Sequence, residues 1–181
     1  MIRVFALSLG LVLFIPAAIA AQAPSTNPSS RVVFDSVKDD VLRQALAVPG
    51  ATLEYRWAVE RPTSHDSSSL DVYDAGSRTW FRLDQKVWLT LQDLRSVGAS
   101  FSSGRASVFV SPKPEVERRL QPSIAAHKRQ FLAVIVNGHF VDAPFVTASI
   151  ARMIPVVIGA DSAMATNLVD RLRAQIARSG K

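Results

Sequence analysis

The residues able to do chemistry are few and far apart. The sequence holds three histidines, His65, His127 and His139, and no cysteine. No two of these histidines stand at the i, i+4 spacing that aims a pair of imidazoles at one metal ion from a helix, and there is no thiolate to complete a set. The sequence therefore predicts no metal and no cofactor. His65 and Asp66 are followed by Ser67, Ser68 and Ser69, the residue types of a serine nucleophile with its base. Adjacency along the chain is not triad geometry, however, and no Gly-x-Ser-x-Gly elbow is present. Ser102 and Ser103-Gly104 have loop character and no pattern tying them to a histidine. The acids read as structural. Asp39 and Asp40 fall in the first turn of an expected helix, Glu115 and Glu117 follow Pro114, and Asp142 and Asp161 flank turns where short acceptors bond backbone amides. The expectation is a protein that is not an enzyme; a small hydrolase using His65 or His139 is the alternative chemistry.

Contact residues are better represented. Trp57, Trp80 and Trp88 all fall in the first half, where they either line a peptide or glycan groove or pack the core and sheet edge. An exposed edge strand would offer a second way to take a partner, by adding a strand. An envelope structural or inhibitor protein acting through this half is a further alternative. The chain carries 21 Lys and Arg against 15 Asp and Glu, a formal charge of +6. These cations are scattered rather than interleaved with aromatics, which argues against nucleic acid and leaves anionic lipid, acidic glycan or an acidic protein as partners.

The elements that must position these side chains follow from local pattern. Residues 1–23 read as an export signal: Arg3, an apolar run from Val4 to Ile15, Pro16, then small residues with cleavage sites at Ala18-Ile19-Ala20 or Ala21-Gln22-Ala23. Of the basic residues only Arg3 would leave with it. The run is too short for a comfortable span of about 20 residues, and no other segment is long and apolar enough, so the mature chain is expected in the periplasm without a transmembrane segment. Residues 24–34 are Pro/Ser/Asn-rich and read as a flexible leader, and 35–181 as one domain. With no disulfide to staple it, this domain must bury an ordinary core.

A helix is expected over Ser36 to Ala47, capped by Asp35 or Ser36 and stopped at Pro49-Gly50. Ala51 to Val59 alternates as a strand, Arg61 to Leu70 is loop, and Trp80 to Leu83 and Val87 to Leu89 suggest short strands. Thr90 caps a single helical turn over Leu91 to Val97, ended by Gly98. A strand is expected at Ala106 to Val110 and a helix at Lys113 to Arg129 that Pro122 must kink or divide. Phe131 to Val136 reads as the strongest strand. Asn137-Gly138 then turns it into His139 to Val141, and Pro144 ends the pairing. A turn of helix over Thr147 to Arg152, a strand at Ile154 to Ile158 and a helix capped by Asp161 or Ser162 complete the chain. Hairpins interspersed with helices predict an α+β fold, a mainly antiparallel sheet with helices packed on one face.

These elements resemble, in order, the head subdomain of the first periplasmic domain of SecD, of the Sec translocase accessory SecDF family. The matching pieces are Leu132 to Val136, Asn137-Gly138, Asp142-Ala143-Pro144, Ile150, Val157-Ile158-Gly159 and the helix from Ser162. Upstream, Leu53-Glu54-Tyr55-Arg56, the segment Val87 to Leu94 and the strand and helix of Ala106 to Leu120 look like the preceding parts. The resemblance spans Thr52 to Ala177 and is clearest over 106–177. It implies a stand-alone exported module of the SecD-head kind, binding a protein or unfolded polypeptide as an accessory to protein export. Asn137, Gly138, Ala143, Pro144 and Gly159 then serve the family's backbone geometry. The membrane spans, intramembrane acids and Gly-rich base motif with which that family couples proton flow to export have no counterpart here.

Overall fold

Asn137 and Gly138 both sit at positive φ, 49° and 80°, as a two-residue turn matched to the twist of its strands requires, and the chain reverses there as expected. The computed structural model describes residues 28–61 and 70–179. The segments expected as an export signal and as the loop bearing His65 lie outside the described residues. In chain order the elements are α1 (Pro28–Ala47), β1 (Leu53–Arg61), β2 (Asp71–Asp74), β3 (Thr79–Leu83), β4 (Leu89–Thr90), β5 (Leu94–Ser102), β6 (Arg105–Pro112), α2 (Pro114–Ala126), β7 (Phe131–Val136), β8 (His139–Asp142), β9 (Ile154–Asp161) and α3 (Ser162–Ser179). Short 3-10 turns occupy Leu91–Asp93 and Ala148–Ala151.

The α+β class stands, with all strand pairs antiparallel, but the strands divide into two sheets. The first runs β2-β3-β1-β7-β8, with β4 beside the start of β1. Along β1, Leu53↔Val136 to Ala58↔Phe131 fix the register with β7, and Ala58↔Leu83 to Arg61↔Trp80 that with β3. Alternation sends Leu53, Tyr55 and Trp57 into the main core. Ala58, on the other face, joins Phe81, Leu83 and Ala133 in a smaller core. That second core needs no covering helix because the sheet curls upon itself. β3 and β8 lie three strand spacings apart, about 14 Å in a flat sheet, yet the rings of Phe81 and Phe140 are 6.0 Å apart and the terminal strands β2 and β8 touch.

The second sheet has the order β5-β6-β9. Here one expectation fails. The helical turn after Thr90 stops at Asp93, whose carboxylate accepts from the Thr90 N–H at 2.9 Å and its hydroxyl at 3.1 Å, and Leu94 opens a strand that runs through Gly98. A bulge between Leu94 and Ser96 lets Leu94 and Val97 both point inward at a spacing that mimics a helix. Two further boundaries differ. α1 begins at Pro28 rather than Ser36, inside the expected leader, so Asp35 and Ser36 lie within the helix rather than at its start. Proline suits a first helical position because its missing N–H has no partner there. Pro122 does not divide α2, which stays continuous while Val116, Leu120 and Ile124 anchor it to the core.

Local chemistry fixes the remaining ends. Asp161 caps α3, its Oδ1 accepting from Ala163 N–H at 2.9 Å and Met164 N–H at 3.2 Å. Gly159, at φ 76°, sits in a bulge where Ile158 and Gly159 together oppose Ser107 of β6; a side chain would strain that conformation. Asn137 does more than turn the hairpin. Its Nδ2 donates to Ala45 O at 2.8 Å and its Oδ1 accepts from Thr52 N–H, so it satisfies an orphan carbonyl at the end of α1. Lys38 and Asp39, adjacent on α1, reach different sheets. Lys38 Nζ donates to both carboxylate oxygens of Asp142 at 3.0 and 2.9 Å. Asp39 accepts from Arg105 at 2.8 Å and from the Asp161 N–H at 2.8 Å.

Candidate functional site

Two of the three tryptophans meet at one place. Trp57, from β1, is only 6% exposed, and its ring lies flat against that of His127, with centroids 4.1 Å apart and an interplanar angle of 4°. Trp88 stands beside it, at 4.5 Å and tilted 50°. His127 reaches this position as the residue closing α2, where its Nδ1 lies 2.7 Å from Ser123 O. Trp80 is elsewhere, half-buried on β3 with its ring 5.0 Å from Tyr73 of β2. His139 opens β8 opposite Val136. Among the described residues no group of three or more His, Asp or Glu could hold a metal ion.

The other residues singled out in the sequence are placed by backbone needs. Ala143 N–H donates to Asp142 Oδ1 at 2.9 Å. Pro144 gives its carbonyl to Leu132 N–H at 3.0 Å, so pairing with β7 resumes past β8 in a bridge between Phe131 and Phe145. The Ile158 N–H, turned by the bulge at Gly159, donates to Asp142 Oδ2 at 3.2 Å. Asp142 thus gathers two amides and one ammonium at the junction of α1, β8 and β9.

The half-buried indole of Trp88 opens onto a cleft of about 330 Å³ between the 86–90 segment and α2. Val87 and Leu120 line it with apolar surface, and Lys86, Arg119 and Ser123 with polar groups. Asp93 holds the Arg119 guanidinium at 3.1 Å. Such a mixture of an aromatic floor, cations and a hydroxyl suits a polypeptide, which offers side chains, carbonyls and carboxylates together. It assembles no nucleophile with a base. Nothing in the sequence marked Lys86 and Arg119 as neighbours of Trp88 in one cleft. The one local hint was Asp93, three residues after Thr90, which ties the 3-10 turn beneath the cleft.

Behind the stack lies Tyr55, fully buried, with its hydroxyl donating to Pro155 O at 3.3 Å across the two sheets. Burial pushes its phenol well above the ordinary value of 10.0, because the phenolate would lose its hydration. The folded state then keeps a proton that the unfolded chain releases above pH 10, so the stabilisation is complete below that value and is lost as pH rises from there through the raised folded value. Urea midpoints should hold up to about pH 10 and fall as pH rises above it. Tyr55→Phe should flatten that alkaline limb while losing about 1 kcal/mol at neutral pH for the missing hydrogen bond. An unchanged limb would assign the effect to another group.

The sequence matches no protein-family model and no curated protein. The structure, in contrast, has recognisable neighbours. A structure of SecDF, a membrane component that enhances protein export, superposes with a TM-score of 0.51 at 15% identity over 84% of this chain and 90% of that one. The chain shares its fold with SecDF. SecDF in its super-membrane-facing form gives the same TM-score and identity over 84% of this chain, which spans 27% of that longer protein. At this identity the likeness to SecDF is one of fold. Among the described residues of this chain no helix is long and apolar enough to cross a membrane.

Proposed function

We propose that this protein is a non-enzymatic, polypeptide-binding module of the periplasm, similar to the head of SecD and accessory to protein export. The observation that carries the reading is the shared fold, which extends over 84% of the chain. The Trp88 cleft is the contact site: its indole, with Val87 and Leu120, takes apolar side chains, and Lys86 and Arg119 hold carbonyl or carboxylate oxygens. Trp57 supports that indole from the core, and Trp80 with Tyr73 offers a smaller aromatic surface on β2 and β3.

The test compares two forms of one probe. Reduced, alkylated α-lactalbumin, which cannot refold, should bind the protein in a fluorescence anisotropy titration. Native α-lactalbumin, of similar charge, should not. Trp88→Ala should weaken binding about tenfold or more, as loss of an aromatic anchor does. Equal binding of the folded and unfolded probes would end the polypeptide-binding reading.

A further inference from the structure

Successive residues of a helix turn by about 100°, so the flank of α2 opposite Arg119 and Ser123 carries Gln121, Ala125 and the buried Ile124, and the chain continues past the helix end into Lys128. They line a second cleft, closed on its far side by Val146, Thr147 and Ala151. Ile124, Val146 and Ala151 are buried and give it an apolar floor. Its volume, about 270 Å³, falls below the roughly 300–1,000 Å³ of sites for drug-sized small molecules and suits an inserted side chain.

Among the described residues, the unpaired charge around it is cationic. Lys128 lines the cleft and Arg129 follows it; both are exposed, and neither is ion-paired among the described residues. Arg152, next to Ala151, is 83% exposed and reaches only Glu117, at 3.3 Å. α2 and the residues at its end carry Arg118, Arg119, Lys128 and Arg129 against Glu115 and Glu117, and Arg119 is held by Asp93. A concave apolar floor with a cationic rim complements an apolar side chain flanked by carboxylates. Phe145 and Met153 are exposed on the neighbouring segments, and a lipid surface, which takes protruding apolar residues, is the outcome that the vesicle arm of the test separates.

We propose that this second cleft seats a bulky apolar side chain of an extended polypeptide segment, with adjacent acidic residues held by Lys128 and Arg129. The inference rests on the polypeptide-binding reading above and adds the class of segment recognised and a second place of contact.

The probe is a fluorescein-labelled peptide, Gly-Ser-Leu-Glu-Glu-Ser-Gly, titrated into the full chain and followed by anisotropy. It should bind, more weakly as salt rises, and binding should vanish when its Leu becomes Ser or its two Glu become Lys. Lys128→Glu should weaken it at least about tenfold. Ala125→Trp, which fills the cleft from an exposed position, should abolish it. Both variants should keep binding unfolded α-lactalbumin through the Trp88 cleft, which also shows that they fold. Equal binding of the Leu-to-Ser peptide, or indifference to Lys128→Glu, would overturn the proposal. So would phosphatidylglycerol vesicles sedimenting the protein in a Lys128-dependent way while the peptide fails to bind, or a Lys128-dependent dimer in sedimentation. If unfolded α-lactalbumin binds and the peptide does not, this inference alone falls; if neither binds, the polypeptide-binding reading falls with it.

Discussion

Asp142→Ala is expected to lower the unfolding free energy by about 3–5 kcal/mol, the loss seen when one partner of a buried ion pair is removed. Asp142 is 8% exposed and Lys38 7%, so neither charge has water to fall back on. The substitution removes the carboxylate that Lys38 Nζ meets at 3.0 and 2.9 Å. It also strips an acceptor from the Ala143 and Ile158 amides. Lys38→Met should cost less, because the Asp142 carboxylate keeps those two amide donors and a methionine fills the stem of the lysine. The double replacement Lys38→Met with Asp142→Asn should recover much of the loss, since the asparagine oxygen still accepts from one amide and no charge stays buried. Urea melts of the four proteins form the double-mutant cycle that measures this coupling. Strictly additive losses would mean that the pair is not a unit. A drop of this size is a large share of the 5–15 kcal/mol typical of a domain, and it would release α1 from the junction of the two sheets.

That junction is the part of the fold the sequence concealed. Elements set by neighbouring residues were legible. Phe131 to Val136 with Asn137-Gly138 made a hairpin, and Asp161 capped α3. The Leu94 to Val97 segment misled because its inward residues stand three apart, as on a helix, and only pairing with β6 reveals the bulge that creates this spacing. Lys38 and Asp142 are 104 positions apart. Nothing local distinguishes an aspartate that bonds the next amide from one that also buries an ammonium.

The Trp88 cleft was legible by half. Three tryptophans drew attention to the first half of the chain, and the ring contacts sort them. Trp57 meets both His127 and Trp88, Trp80 meets Tyr73, and Trp88 lines a cleft. The opposite wall comes from α2, 26 positions from the 3-10 turn that Arg119 reaches. Periodicity placed Leu120 on the inner face of α2, but it could not place α2 against the 86–90 segment. Position on the surface is a property of the assembled layers, so the cleft exists only once sheet and helix are docked.

Trp57→Ala should therefore act on stability first and on binding second, whereas Trp88→Ala should do the reverse. Removing a buried indole loses its transfer free energy and leaves a cavity, together about 3–5 kcal/mol. Here the cavity would lie between β1 and α2 and would leave His127 without the ring it stacks on at 4.1 Å. The C-terminal turn of α2 should loosen, and Trp88 would lose the neighbour that sets its tilt. Trp88, half-buried, has less to lose by truncation, roughly half as much, but it supplies the cleft's aromatic surface directly. The pair separates packing from recognition. Thermal melts should put Trp57→Ala well below Trp88→Ala, and titrations with unfolded α-lactalbumin, at a temperature where both remain folded, should put Trp88→Ala lower in affinity. If Trp88→Ala loses stability without losing affinity, the stack is core throughout, and the contact site must be sought on another face.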